Sequence, residues 1–264
     1  MGKETAAKYF DERFNIPDIS TDLLPFFHSC DAFFFRKILT EKKLKPSECT
    51  IFKNEELLYL FYGKPAYRSS NNASSGLHSL LPISFILRTD SIDKIKRIAP
   101  FDTGAFNLGL FKEYLHPGME LKNFFLTPRK ESIAKTVDYF FANNEHYYLG
   151  RPKQDIKFDA LDFEVESYYN LIKGVGQSKV DDRKASIEIQ SESEIELTKD
   201  SVEAIIMPDN FITSEFIQDI VFDQLQAEVI TYESYGIPSD NYYSEILSLT
   251  KEYLIKKDYL HART

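Results

Sequence analysis

The chain has no tryptophan, only two cysteines and ten glycines, no excess of positive charge and no long apolar run. Each shortage removes a class of protein. Cys30 and Cys49 stand in one short region without a second Cys/His pair at zinc-finger spacing, so the expected setting is a reduced, cytoplasmic one. No stretch approaches the roughly twenty apolar residues of a membrane span. The segment from Met1 to Phe14 is charged and lacks an apolar signal core, so a soluble protein with no membrane partner is expected. His28, His78, His116, His146 and His261 are scattered, and none has the i+4 partner that marks a metal-binding helix. Gly174-Val175-Gly176 lacks the third glycine and the preceding strand of a dinucleotide loop. With 41 acidic against 32 basic residues, the net charge of −9 gives no general attraction for nucleic acid.

What the chain does have is rings, 22 Phe and 16 Tyr, within a composition that is 43% hydrophobic. Over 264 residues that suffices for one large domain or two small ones, and a single domain over residues 1–264 is the expectation. Asp31 to Lys42 carries Phe34, Phe35, Ile38 and Leu39 at helical spacing with Asp31 as cap, and Glu56 to Tyr62 reads as a buried strand ended by Gly63 and Pro65. A strand is expected at Ile83 to Leu87, a short helix over Ile92 to Ile98, a helix at Ser132 to Ala142, and at Leu161 to Ile172 either a helix by spacing or a strand by the alternation of Leu161, Phe163 and Val165. Lys184 to Gln190 alternates as a half-buried strand, with Glu194 to Leu197 as its hairpin partner. Val202 to Met207 forms an apolar strand. A helix around Phe216 to Val221, a strand at Glu228 to Tyr232 and a helix from Asn241 to about Leu260 complete an α+β fold with mostly antiparallel sheets and flanking helices.

Several residues in this layout can carry chemistry. Glu188 shares a strand face with Ser186 and Gln190, where a rigid carboxylate can position a hydroxyl or stabilise a developing cation; the alternative is an ordinary polar solvent face. Glu203 stands at the start of the apolar strand before Pro208, where a lone acid is more often an edge residue than a catalyst. Tyr67 and Arg68 close the aromatic strand, where a ring can stack on a base and a guanidinium can pair with a pyrophosphate. His28 stands at the end of an apolar run, ahead of a helix.

The order His28-Ser29, then the helix with Ile38-Leu39, then the strand ending Phe61-Tyr62-Gly63-Lys64-Pro65-Ala66-Tyr67-Arg68, resembles the N-terminal half of ADP-ribosyltransferases. The likeness is to the DNA-modifying toxins of bacterial toxin–antitoxin pairs. The resemblance implies an ADP-ribosyltransferase-like core that uses NAD as substrate, with His28 and Ser29 at the ribose, Tyr62, Tyr67 and Arg68 assisting, and Glu188 or Glu203 as the catalytic carboxylate. It implies a toxin or anti-phage defence effector with a nucleic-acid or protein acceptor and a partner such as an antitoxin. With water as acceptor, the same site would be an NAD glycohydrolase.

Other readings stay open beside it. Phe101-Asp102-Thr103-Gly104-Ala105 looks like the Asp-Thr-Gly signature of aspartic proteases, or is an Asp-started turn with a permissive glycine. Asp162, Glu164 and Glu166 would suit a nuclease with a dispersed acidic site, or a solvated face. The chain would also read as a non-catalytic binding or accessory subunit whose aromatic strand is merely core.

Overall fold

The computed structural model describes residues 9–16, 18–66, 77–174 and 181–261. Ten strands are present: β1 (Phe26–Asp31), β2 (Lys43–Leu44), β3 (Ser47–Glu48), β4 (Glu56–Tyr62), β5 (Pro82–Leu87), β6 (Arg97–Ala99), β7 (Glu188–Ser191), β8 (Ile195–Glu196), β9 (Val202–Pro208) and β10 (Glu228–Tyr232). The helices are α1 (Ala32–Glu41), α2 (Thr103–Asn107), α3 (Lys130–Phe140), α4 (Asn144–Tyr148), α5 (Phe163–Lys173), α6 (Glu215–Ile217) and α7 (Tyr243–Lys256). The fold is α+β with mostly antiparallel pairing. The chain forms two compact units, one from Met1–Leu23, Cys49–Lys53 and Ile95–Gln190, the other from Leu24–Glu48, Asn54–Lys94 and Ser191–Thr264.

The first unit is held by rings. Phe10 lies 5.6 Å from Phe124 and 5.6 Å from Tyr168, and Phe140 meets Tyr168 edge-on at 4.8 Å. Phe101 joins them through Phe111 and Phe124, each at 5.3 Å. Such pairs prefer tilted and edge-to-face geometry because the ring face is negative and its edge positive. Two buried carboxylates tie the N-terminal segment to α3 and the loop before it: Asp11 accepts from the Thr127 amide at 2.6 Å and Ser132 Oγ at 3.1 Å, and Asp138 accepts from the Ser20 amide at 2.7 Å. Strands β6 and β7 pair antiparallel, with Arg97 opposite Gln190, Ile98 opposite Ile189 and Ala99 opposite Glu188.

The second unit is a sheet in the order β10-β9-β5-β1-β4, with β3 also on β4; all neighbours are antiparallel except β10 and β9. Its centre is continuous and apolar: Ile83, Phe85, Ile86, Leu87, Ala204, Ile205, Ile206 and Met207 are buried. Helix α1 starts where Asp31 Oδ1 accepts from the Phe34 amide at 3.1 Å, and it lays Phe35 on Phe85. Strand β4 ends at Gly63, whose φ of +68° suits glycine and where a Cβ would stand 2.5 Å from Leu24 Cδ1.

Four expectations are corrected. Ile92 to Ile98 is not helical: a 3₁₀ turn at Thr89–Ser91 is followed by β6, since Ile98 is needed opposite Ile189. The strand proposed from Lys184 is shorter, because Asp182–Ala185 is a 3₁₀ turn and pairing begins at Glu188. Glu194 to Leu197 does not return on β7; β8 pairs with β2, where Lys43 meets Glu194 and Glu196. The helix at Phe216 is only three residues of α before a π-helical stretch, Gln218–Gln224.

Candidate active site

Glu188 is the most constrained carboxylate of those singled out in the sequence. It is 2% exposed, so the expected polar solvent face is instead a second buried face of β7, with Ser186 0% and Gln190 1% exposed. The antiparallel register explains the cluster. Side chains opposite one another share a face, which puts Arg97, Gln190 and Glu188 on one side of the β6/β7 pair and Ile98 and Ile189 on the other.

Every oxygen of Glu188 is used. Oε2 accepts from the Thr103 amide at 2.9 Å, and Oε1 accepts from Thr103 Oγ1 at 2.7 Å and from Gln190 Nε2 at 2.6 Å. Burial and the nearby Asp102 charge push the Glu188 carboxyl up to about 7, against the opposing pull of the three donors. Asp102 is also raised, first by its own burial; the Ala105 and Gly104 amides and Arg183 oppose the rise. Arg183 is anchored by Asp181, with Nε at 2.9 Å from Oδ1. A carboxyl that exchanges its proton near neutrality is suited to general acid–base work or to charge stabilisation on demand.

Thr103 was not foreseen as a partner of Glu188. The Asp-Thr-Gly segment supplies it: Asp102 caps α2 by accepting from the Ala105 amide at 2.7 Å, which aims the Thr103 amide and hydroxyl at Glu188. The segment is thus an Asp-started helix cap, as its turn reading has it, with Gly104 behind the Asp102 carboxylate. The candidate nuclease acids are engaged as well, since Arg13 pairs with Asp162 at 3.6 Å and Glu164 at 3.3 Å.

The remaining candidates lie in the second unit. His28 sits on β1, half-buried, and its Nδ1 is 3.0 Å from the Tyr59 carbonyl. A carbonyl only accepts, so Nδ1 carries the proton; burial lowers the ring's affinity for a second one, which leaves Nε2 as an acceptor. Ser29 is the next strand residue and therefore faces the opposite side of the sheet, where its Oγ is 2.8 Å from Ser84 Oγ. Ser29 and Ser84 line a small cleft with Pro65, Asp240 and Tyr243, of about 20 Å³. Tyr62 is fully buried, and its hydroxyl accepts from the Leu24 amide at 3.1 Å.

Glu203 lies on β9, two strands from β1, in the stretch where the β5/β9 register slips. Its carboxylate is already taken: Tyr253 donates to Oε2 at 3.0 Å, Tyr259 donates to Oε1 at 2.8 Å, and Arg88 stands 3.7 Å away. Tyr67 and Arg68 fall outside the described residues. The structure therefore gathers His28, Ser29, Tyr62 and Glu203 on one sheet and surrounds Glu188 with Thr103, Gln190 and Asp102 in the other unit.

Among the described residues, no group of three or more His, Cys, Asp or Glu is placed to hold a metal ion, and no helix is long and apolar enough to cross a membrane. Comparison with family models, with curated proteins and with solved structures found no match.

Proposed function

We propose that the chain is an NAD-dependent ADP-ribosyltransferase with an ADP-ribosyltransferase-like core, acting in the cytoplasm as a toxin or defence effector on a nucleic-acid or protein acceptor. The observation that carries this reading is the state of Glu188: a buried strand carboxylate, gripped by three donors and titrating at about 7. Breaking the bond between nicotinamide and ribose builds positive charge on the sugar. A fixed carboxylate beside that charge lowers the barrier without having to reorganise.

In this reading Glu188, as the anion, faces the ribose. Thr103 and Gln190 hold its oxygens. Roles for His28, Ser29, Tyr67 and Arg68 toward the dinucleotide are those the resemblance implies; on β1, His28 and Ser29 face opposite sides of their sheet. Because the anion is the working form, turnover rises with pH through about 7.

The test is direct. Purified chain is incubated with labelled NAD, alone and with DNA, RNA or protein acceptors, and free nicotinamide and transferred label are measured. Glu188→Gln is expected to lower turnover by about 100-fold or more, the usual cost of removing one electrostatic stabiliser. No turnover by the native chain, together with no NAD-dependent rise in Tm, overturns the proposal.

A second reading, a non-catalytic binding or accessory subunit, is favoured by one fact: Glu188 is 2% exposed and fully bonded within the chain. Under it, Glu188→Gln alters stability alone.

A further inference from the structure

We infer that Arg97 is a positioning residue for Glu188: by fixing which way the Gln190 amide points, it presents the neighbouring carboxyl with a donor that favours its anionic form. The inference rests on the role given to Glu188 above, but its geometry stands independently.

A guanidinium has donors and no acceptor. Arg97 Nε lies 2.7 Å from Gln190 Oε1, and only the amide oxygen can receive it. The other end of the amide, Nε2, is then committed to the opposite side, 2.6 Å from Glu188 Oε1 and 3.4 Å from Thr103 Oγ1. Glu188 therefore meets a donor. If the amide were turned over, it would present its oxygen to Glu188, which would repel a carboxylate and accept from a carboxylic acid. One side chain, two residues from Glu188 on the same strand, thus has an anion-supporting and an acid-supporting orientation. Arg97 selects between them.

Arg97 is itself well placed to impose that choice. It sits directly opposite Gln190 in the β6/β7 ladder, where the Lys96 amide also donates to the Gln190 carbonyl at 2.8 Å. Its guanidinium lies over the Phe52 ring, 3.9 Å from the centroid, with Phe125 at 6.0 Å. A cation seated on an aromatic face keeps its plane, so the direction of Nε is set by packing. Among the described residues, the charge that acts on Glu188 is Asp102 at the cap of α2, itself influenced by Asp181 and Arg183 on the 3₁₀ turn, with Arg97 acting through Gln190.

The test reads the ionisation of Glu188 apart from catalysis. Infrared pH titration follows the carboxylic-acid C=O band, assigned to Glu188 by its loss in Glu188→Gln, in the native chain and in two variants. Arg97→Met keeps an apolar stem on Phe52 and removes the donor; Arg97→Lys restores a donor. Arg97→Met is expected to raise the Glu188 midpoint by about one pH unit, a tenfold change in the ratio of acid to anion, and Arg97→Lys to return most of the way. If turnover is measurable, its pH profile moves by the same amount. Gln190→Met, which deletes the amide, should give the same rise without touching Arg97.

An unmoved midpoint in either Arg97→Met or Gln190→Met overturns the inference, and so does an equal shift in Arg97→Lys. If the native chain turns over NAD while the midpoints stay fixed, the positioning role falls and the proposed function survives. If the midpoints move as expected and the chain has no activity on NAD, the positioning role stands and the proposed function falls.

Discussion

The two strand glutamates that the sequence offers, Glu188 first and Glu203 second, belong to different units and to different chemical settings. Glu188 is buried and Glu203 half-buried, and both have their two oxygens engaged. Glu203 is bound by the phenols of Tyr253 and Tyr259, which burial pushes far above the ordinary phenol range and so keeps as donors, with Arg88 adding positive charge. It is a tie between β9 and the C-terminal helix region. Glu188 has an acid for a neighbour and an amide and a hydroxyl for partners, and its proton is held to near neutrality. Glu188 has three donors to Glu203's two, and yet it is the carboxyl pushed up. Deeper burial and then the sign of the neighbouring charge set it apart.

The cores differ in the same way. The first unit leans on a few large rings, the second on many aliphatic side chains spread over a sheet. Removing one ring should therefore do most damage in the first. Phe140→Ala, which empties a site ringed by Phe10, Phe14, Tyr139 and Tyr168, is expected to cost about 3–5 kcal/mol in denaturant unfolding. A cost below about 1 kcal/mol would show that the ring cluster is not what holds that unit.

Next in size is a pH effect confined to Glu188. Its folded value of about 7 lies above the ordinary 4.5, so between those values the folded chain binds more protons than the unfolded one. The stability this provides is complete below pH 4.5 and is lost as pH rises towards about 7. The full loss is at most roughly 3 kcal/mol. Glu188→Gln should be the less stable protein at low pH, because either orientation of its amide sets an NH₂ against a donor, the Thr103 amide or Gln190 Nε2, and the gap should narrow by that amount at pH 8. Parallel stability curves for the two proteins would refute the assignment.

Smaller effects are expected at the tie. Tyr259→Phe leaves Tyr253 still donating to Glu203, so a cost of about 1–2 kcal/mol and unchanged turnover of NAD are expected from paired melting and activity measurements. Smallest is Asp31→Ala, which removes the cap of α1 and should cost about 1 kcal/mol in the same melting experiment.

Much of the second unit was legible in the sequence. Glu56 to Tyr62 and Glu228 to Tyr232 are strands at the expected bounds, and Asp31 caps the expected helix, because local signals there agree with the tertiary pairing. The first unit was read less well. Alternation correctly put Glu188 and Gln190 on one face, though Ser186 precedes the strand, and periodicity tells that faces differ, not that both are buried. The isoleucines at 92, 95 and 98 mimic a helical period, and only the ladder with Ile189 makes Ile98 a strand residue. Thr103 and Arg97 could not be found from spacing, since each reaches Glu188 across 85 or more positions of chain or through Gln190.

The three-residue ladder of β6 on β7 therefore acts as a parity code. Because side chains alternate, a shift of the pairing by one residue would set Arg97 opposite Ile189 and Ile98 opposite Glu188, or in the other direction Arg97 opposite Ser191 and Ile98 opposite Gln190, exchanging a charged relay for a mismatched core. Whatever this chain does with Glu188, an insertion or deletion of one residue beside the short strand Arg97–Ala99 threatens it more than many single substitutions would: it changes no side chain of the relay, only which of them are neighbours.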